Sequence, residues 1–180
     1  MTEPKPAPAR GGNPFWDFSL ALYASPQVQK ACLELQDGCG VDVNVLLYML
    51  WHGANRRRLT IEDVGAVLAA VEPWRVDVVV PLRSARRNLK QPAPAIEPKG
   101  AETLRAIVKT AELEAERLQQ AALYTLQLPS AASPAAVSPR AAAAANAAAY
   151  AAALARPLAR APRDVMLDVL EARIASPGPI

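Results

Sequence analysis

Apolar side chains recur every three or four residues along most of this 180-residue chain, the spacing of a helix face and not the alternation of a strand. Asn13-Pro14 pairs a capping residue with proline at the first helical position, and Phe15, Trp16, Ser19, Leu22 and Tyr23 then predict a helix to about Tyr23. Ser25-Pro26 repeats the signal. Val28, Cys32, Leu35 and Gln36 predict a second helix that runs to Asp37, stops at Gly38 and forms an antiparallel hairpin with the first. From Asp42 the run VDVNVLLYMLWHG opens with alternation and is rich in valine, so a short strand is the rival reading. Val43, Leu46, Leu47, Leu50 and Trp51 fit a helical stripe better, and no second strand of matching quality exists to pair with it. A helix is expected, with Gly53 as its C′ glycine.

Arg56-Arg57-Arg58 leads into a second helix signal, where Thr60 and Asp63 have capping-box spacing; that helix should end near Val71, before Pro73. WRVDVVVPLRSARRNLK is apolar first and basic last, and Pro81 predicts a kink or break near Val80. A proline-rich linker over 91–98 separates these elements from a long helix at about 101–127. In that helix Leu104, Val108, Ala111, Ala115, Leu118, Ala122 and Thr125 step by 4 and 3 in turn, a heptad seam widened by Ile107 and Leu126, which predicts lengthwise packing on the bundle or on a second copy. The expected fold is all-α: a bundle of five to seven helices with one long heptad-patterned helix and an Ala-rich C-terminal tail. Phe15, Trp16, Leu46, Leu50, Trp51, Trp74 and Leu118 are expected in or near its core.

Composition changes this picture at the C-terminus. Thirty-eight of the residues are alanine, and 18 of these fall within the 32 residues 130–161. Alanine favours helix over 140–155 but has little to bury, so the tail is expected to be dispensable for folding, with Val165, Met166, Val169, Leu170 and Ile174 the one set large enough to dock. The domain reading is a disordered arm over 1–13, a helical domain over 14–128 and an Ala/Pro-rich tail over 129–180 with a terminal helix. Arginine outnumbers lysine 15 to 5, which with the alanine content is what a GC-rich genome produces.

Charge excludes little. The net charge of +3 divides as 11 basic against 9 acidic residues in 1–90 and 9 against 8 in 91–180, so neither half is a strongly charged block. The opening MTEPKPAPARGG has no apolar stretch of signal-peptide length, and the alanine tract is too short and too weakly apolar for a membrane span. A soluble, cytoplasmic protein is expected. Cys32, Cys39 and His52 cannot assemble a usual tetrahedral zinc site, and free thiols are expected. No cofactor is implied.

Catalytic chemistry is not legible. The eight glycines are scattered, without a phosphate loop, and His52, the one histidine, ends an apolar helix, where its expected role is to meet the last carbonyls. Asp17 sits in the first turn of its helix, where the macrodipole favours a carboxylate. The basic candidates are Arg56, Arg57 and Arg58, together with Arg83, Arg86 and Arg87, which with Lys90 fall on one helical side and could meet phosphates. LTIEDVGAVLAAV resembles the opening helix of a helix-turn-helix, but VDVVVPL offers too few polar side chains for a recognition helix and contains a proline.

The segments FWDFSLALY and DGCGVDVNVLLYMLW, followed by LTIEDV, PLRSARRNLK and LRAIVKTAELEAERLQQAALY, resemble a proteobacterial family of small proteins, domain-of-unknown-function family 2390. The resemblance covers about residues 14–128 and leaves out the Ala-rich tail. It implies an all-helical bacterial cytoplasmic protein and no activity, ligand or catalytic residue. The favoured function is a non-enzymatic module that docks a protein partner; nucleic-acid binding through the six arginines is the alternative, and an enzyme comes third for want of a base and nucleophile pair.

Overall fold

Asn13 caps the first helix: its side-chain oxygen accepts the Trp16 N–H at 3.1 Å, and α1 spans Pro14–Tyr23. The structure, a computed structural model, describes residues 13–128 and 136–175, so the arm expected over 1–13 lies outside the described residues apart from Asn13. α2 spans Pro26–Cys39 and runs through Gly38, ending instead on Gly40. The φ of 64° at Gly40 is the left-handed conformation that returns its N–H to the Gln36 carbonyl.

α3, Val43–Ala54, is helical throughout and capped by Asp42, whose Oδ1 accepts the Asn44 N–H at 2.9 Å. Nine of its twelve residues are buried. A helix covered on nearly every side needs no polar stripe, which is why its sequence could also be read as a strand. The Thr60–Asp63 capping box closes in both directions, at 3.2 Å and 3.0 Å, and starts α4, Ile61–Trp74.

α4 does not end before Pro73. It continues through a π-helical segment, Arg75–Val79, into α5, Val80–Asn88. Pro81 has no N–H to return to the chain, and the widened turn just before it, with the Val80 N–H on the Arg75 carbonyl, absorbs the defect without a break. The helix that resembled the opening of a helix-turn-helix thus has no turn after it.

α6, Pro98–Thr125, is the long helix, but the heptad seam is not its buried face. Leu104, Ala111, Leu118, Ala122 and Thr125 are exposed, Leu118 by 43%. The face turned to the bundle carries Ala101, Glu112, Ala115, Gln119, Gln120 and Leu123. Polar groups on α3 and α5 find their partners there, and a satisfied polar contact outweighs the apolar stripe a quarter-turn away. Trp74, expected in the core, is 38% exposed and packs on α6 with its indole N–H donating to the Ala115 carbonyl at 3.0 Å.

The alanine-rich region supplies core. α7, Pro139–Ala153, lies along α3, and α8, Arg160–Ala175, lies along α2. Ala143, Ala147, Tyr150, Met166, Leu167 and Leu170 are buried in one cluster with Phe15, Leu46 and Leu50, so the core does not stop at the limit expected at 128. The premise that alanine has little to bury fails because small residues let the backbones meet: a Cβ on Gly53 would stand 2.2 Å from Ala143 Cα. Gly53 is therefore the contact point of a helix crossing, not a C′ glycine. Asn146, 0% exposed, donates to the Met49 and Arg57 carbonyls at 3.1 Å and 2.9 Å and accepts the Leu59 N–H at 2.8 Å. Among the described residues there is no strand, and no helix is long and apolar enough to cross a membrane.

Candidate functional site

The six arginines do not form one surface. Arg83 donates to Glu112 at 3.0 Å and to Glu116 at 2.6 Å, Arg86 donates to both oxygens of Glu112, and Arg87 pairs with Asp37 at 2.7 Å. Burial pushes the Glu112 carboxyl up, but the hydrogen bonds from Arg86 and Arg83 outweigh it and hold Glu112 below the usual range. Of the charges expected to meet phosphates, Arg83 and Arg86 are thus compensated by two carboxylates at i, i+4 on α6, and Arg87 by Asp37 of α2. Arg56 and Arg58 are exposed in the loop after α3, whereas Arg57 is half-buried near Tyr48 and His52. Asp17 is exposed in the first turn of α1.

A more developed site lies between α1, α2 and α6 with α3 as its floor. It is a cleft of about 170 Å³ whose wall includes Trp16 and Ser19 of α1, Cys32 and Gln36 of α2, and Val43 and Leu47 of α3. Leu20, Leu33 and Leu113, each about half exposed, and Tyr23 crowd its mouth. Three leucines from three helices, left in water around one cleft, are an unusual expense for a helix surface. Each is out of phase with the buried stripe of its own helix, and that was the signal in the sequence that a search for core positions passes over.

The cleft has a polar floor with a fixed direction. The Asp42 carboxylate only accepts, so Gln119 presents its amide nitrogen to it, at 2.6 Å. Gln119 Oε1 must then accept from Asn44 Nδ2, at 2.7 Å, and Asn44 Oδ1 from Gln120 Nε2, at 2.8 Å. The relay ends on Gln120 Oε1. Gln120 is 4% exposed, and this oxygen is buried without a hydrogen-bond partner among the described residues while its side chain lines the cleft. Beside it stands Glu116, which burial raises above the usual carboxylate range and Arg83 only partly pulls back. Both polar side chains that reach the cleft from α6 present acceptor oxygens to it. Cys32 is no nucleophile here, since burial pushes its thiol up to about 12. Cys32 and Cys39 are both free thiols.

His52 does not meet the last carbonyls of α3. Its ring is buried edge-on against Tyr48 and Trp51, at 4.5 Å and 4.9 Å between centroids, and neither ring nitrogen has a partner among the described residues. Burial lowers it to about 4, with the Arg57 charge in support, so the ring is neutral at pH 7.

A family model described as a protein of unknown function, DUF2390, matches residues 14–123. The chain belongs to this family. The DUF2390 match takes in every residue that lines the α1–α2–α6 cleft and stops short of α7 and α8. No curated protein and no solved structure matches the chain significantly.

Proposed function

We propose that this DUF2390 protein is a non-enzymatic interaction module, and that the cleft between α1, α2 and α6 receives a partner polypeptide through one bulky apolar side chain flanked by a hydrogen-bond donor. The observation that carries this reading is the combination at one place of an apolar mouth with a buried acceptor, Gln120 Oε1, that no described residue satisfies. A buried unpaired acceptor costs about 1–3 kcal/mol, and a partner N–H or ammonium would recover that while covering Leu20, Leu33 and Leu113. Glu116 favours the same partner, because a carboxylate beside the acceptor attracts a lysine, an arginine or a free amino terminus.

Selection of a displayed peptide library on the full chain tests this, with the Leu113→Asp variant as counter-selection. Enriched peptides should share a bulky apolar residue next to a basic residue or free amine, and should lose binding at least about tenfold on the variant, whose stability should change by no more than about 0.5 kcal/mol. Peptides that bind the variant equally well would count against the cleft. Binding to mixed duplex DNA that falls steeply with salt and is untouched by Leu113→Asp would favour the arginines instead.

A further inference from the structure

His52 lines a second cavity, independent of the first. It measures about 660 Å³, within the range of small-molecule sites, and opens between α3 and the end of α6. Tyr48, Trp51 and Tyr124 form the aromatic part of its wall, with Trp51 and Tyr124 in contact at 5.9 Å between ring centroids, and Arg57, Thr125 and Gln127 add polar groups. Buried polar side-chain atoms in folded proteins are almost always paired. Here both nitrogens of one imidazole, 4% exposed, have no partner among the described residues. The ring is one donor and one acceptor held in place by packing on Tyr48 and Trp51.

Arg57 is the cation of this cavity. Its backbone is fixed on both sides, the N–H donating to the His52 carbonyl at 2.8 Å and the carbonyl accepting from Asn146 at 2.9 Å. Its guanidinium has no carboxylate within ion-pair distance among the described residues, unlike Arg83, Arg86 and Arg87. No acidic side chain lines the cavity. Aromatic faces, a cation without a carboxylate partner among the described residues and an imidazole N–H together describe one class of occupant.

We infer that this cavity is a binding site for a small aromatic carboxylic acid, its ring against Trp51 and Tyr124 and its carboxylate between the Arg57 guanidinium and the His52 imidazole N–H. A planar ring gains from offset or edge contact with the two side chains, and a carboxylate takes charge-assisted hydrogen bonds from both donors. An aliphatic acid would lose the first interaction and a neutral aromatic the second.

Because the chain has one histidine, its imidazole NMR signals report on this cavity without assignment. Titration of the full chain with benzoate should move those signals saturably, with a Kd of about 1 mM or tighter. Acetate and benzamide should each bind at least about tenfold more weakly, and so should benzoate to the Arg57→Gln variant, which keeps the backbone contacts of residue 57. Imidazole signals that do not respond to benzoate would overturn the site. A response equal for benzamide, or unchanged in Arg57→Gln, would overturn the acidic assignment.

Discussion

At the scale of single residues, His52 ties stability to pH. Its unfolded value is near 6.5 and its folded value about 4, so between these the unfolded chain takes up a proton that the folded one refuses. Stability therefore falls as pH drops from 6.5 towards 4, by about 2–3 kcal/mol at pH 4.5 from this residue. Urea unfolding at pH 7 and 4.5 checks it: the loss should be smaller by that amount in His52→Phe, and equal losses would mean the ring is not held neutral. No catalytic role was legible in the sequence for the cysteines and His52. Packing makes Cys32 inert and His52 a cavity wall, because burial in apolar surroundings disfavours charge whatever the residue's intrinsic reactivity.

At the scale of elements, two glycines in helix interiors give opposite expectations. Gly65 in α4 has nothing within 4 Å of the position of a Cβ, so Gly65→Ala should stabilise by about 0.5–1 kcal/mol through helix propensity and chain entropy. Gly53→Ala gains the same propensity but drives a methyl group into the Ala143 backbone, which should cost about 1–3 kcal/mol or more net. Chemical denaturation of the two variants separates them, and a stabilised Gly53→Ala would mean that α3 and α7 do not cross here. Helix starts were legible, since Asn13, Asp42 and Thr60 cap through their own nearby backbone. The facing of α6 was not. A heptad count weighs only apolarity, and it could not see that Glu112 and Gln119 meet Arg83, Arg86, Asn44 and Asp42 from other helices.

At the scale of the whole molecule, α7 and α8 are expected to decide whether the bundle folds, because they supply part of its core. A chain ending at Ser130 would expose Leu46, Leu50 and the face of α2 that α8 covers, and would leave the Leu59 N–H without Asn146. Several buried side chains at about 1.5–3 kcal/mol each exceed the usual stability of a domain this size. The truncated chain should lose its cooperative unfolding transition and aggregate, as followed by circular dichroism and light scattering; a sharp transition near that of the full chain would return α7 and α8 to the status of a dispensable tail. The two cavities are also whole-molecule properties, since each draws its walls from helices far apart in sequence.

Local rules settled what local chemistry controls. Capping residues, prolines and apolar period determined an all-α chain and placed most helix starts, because those signals act within a turn or two of the backbone. The family resemblance was legible too, in FWDFSLALY and DGCGVDVNVLLYMLW. Tertiary structure alone decided that alanine is core, that Gly53 is a crossing, that Arg83, Arg86 and Arg87 are compensated and that Gln120 and His52 keep hydrogen-bonding atoms without a partner among the described residues. Each of these depends on which group from a distant helix stands within about 3 Å, and the distance between side chains remote in sequence is a property of packing that no local pattern encodes.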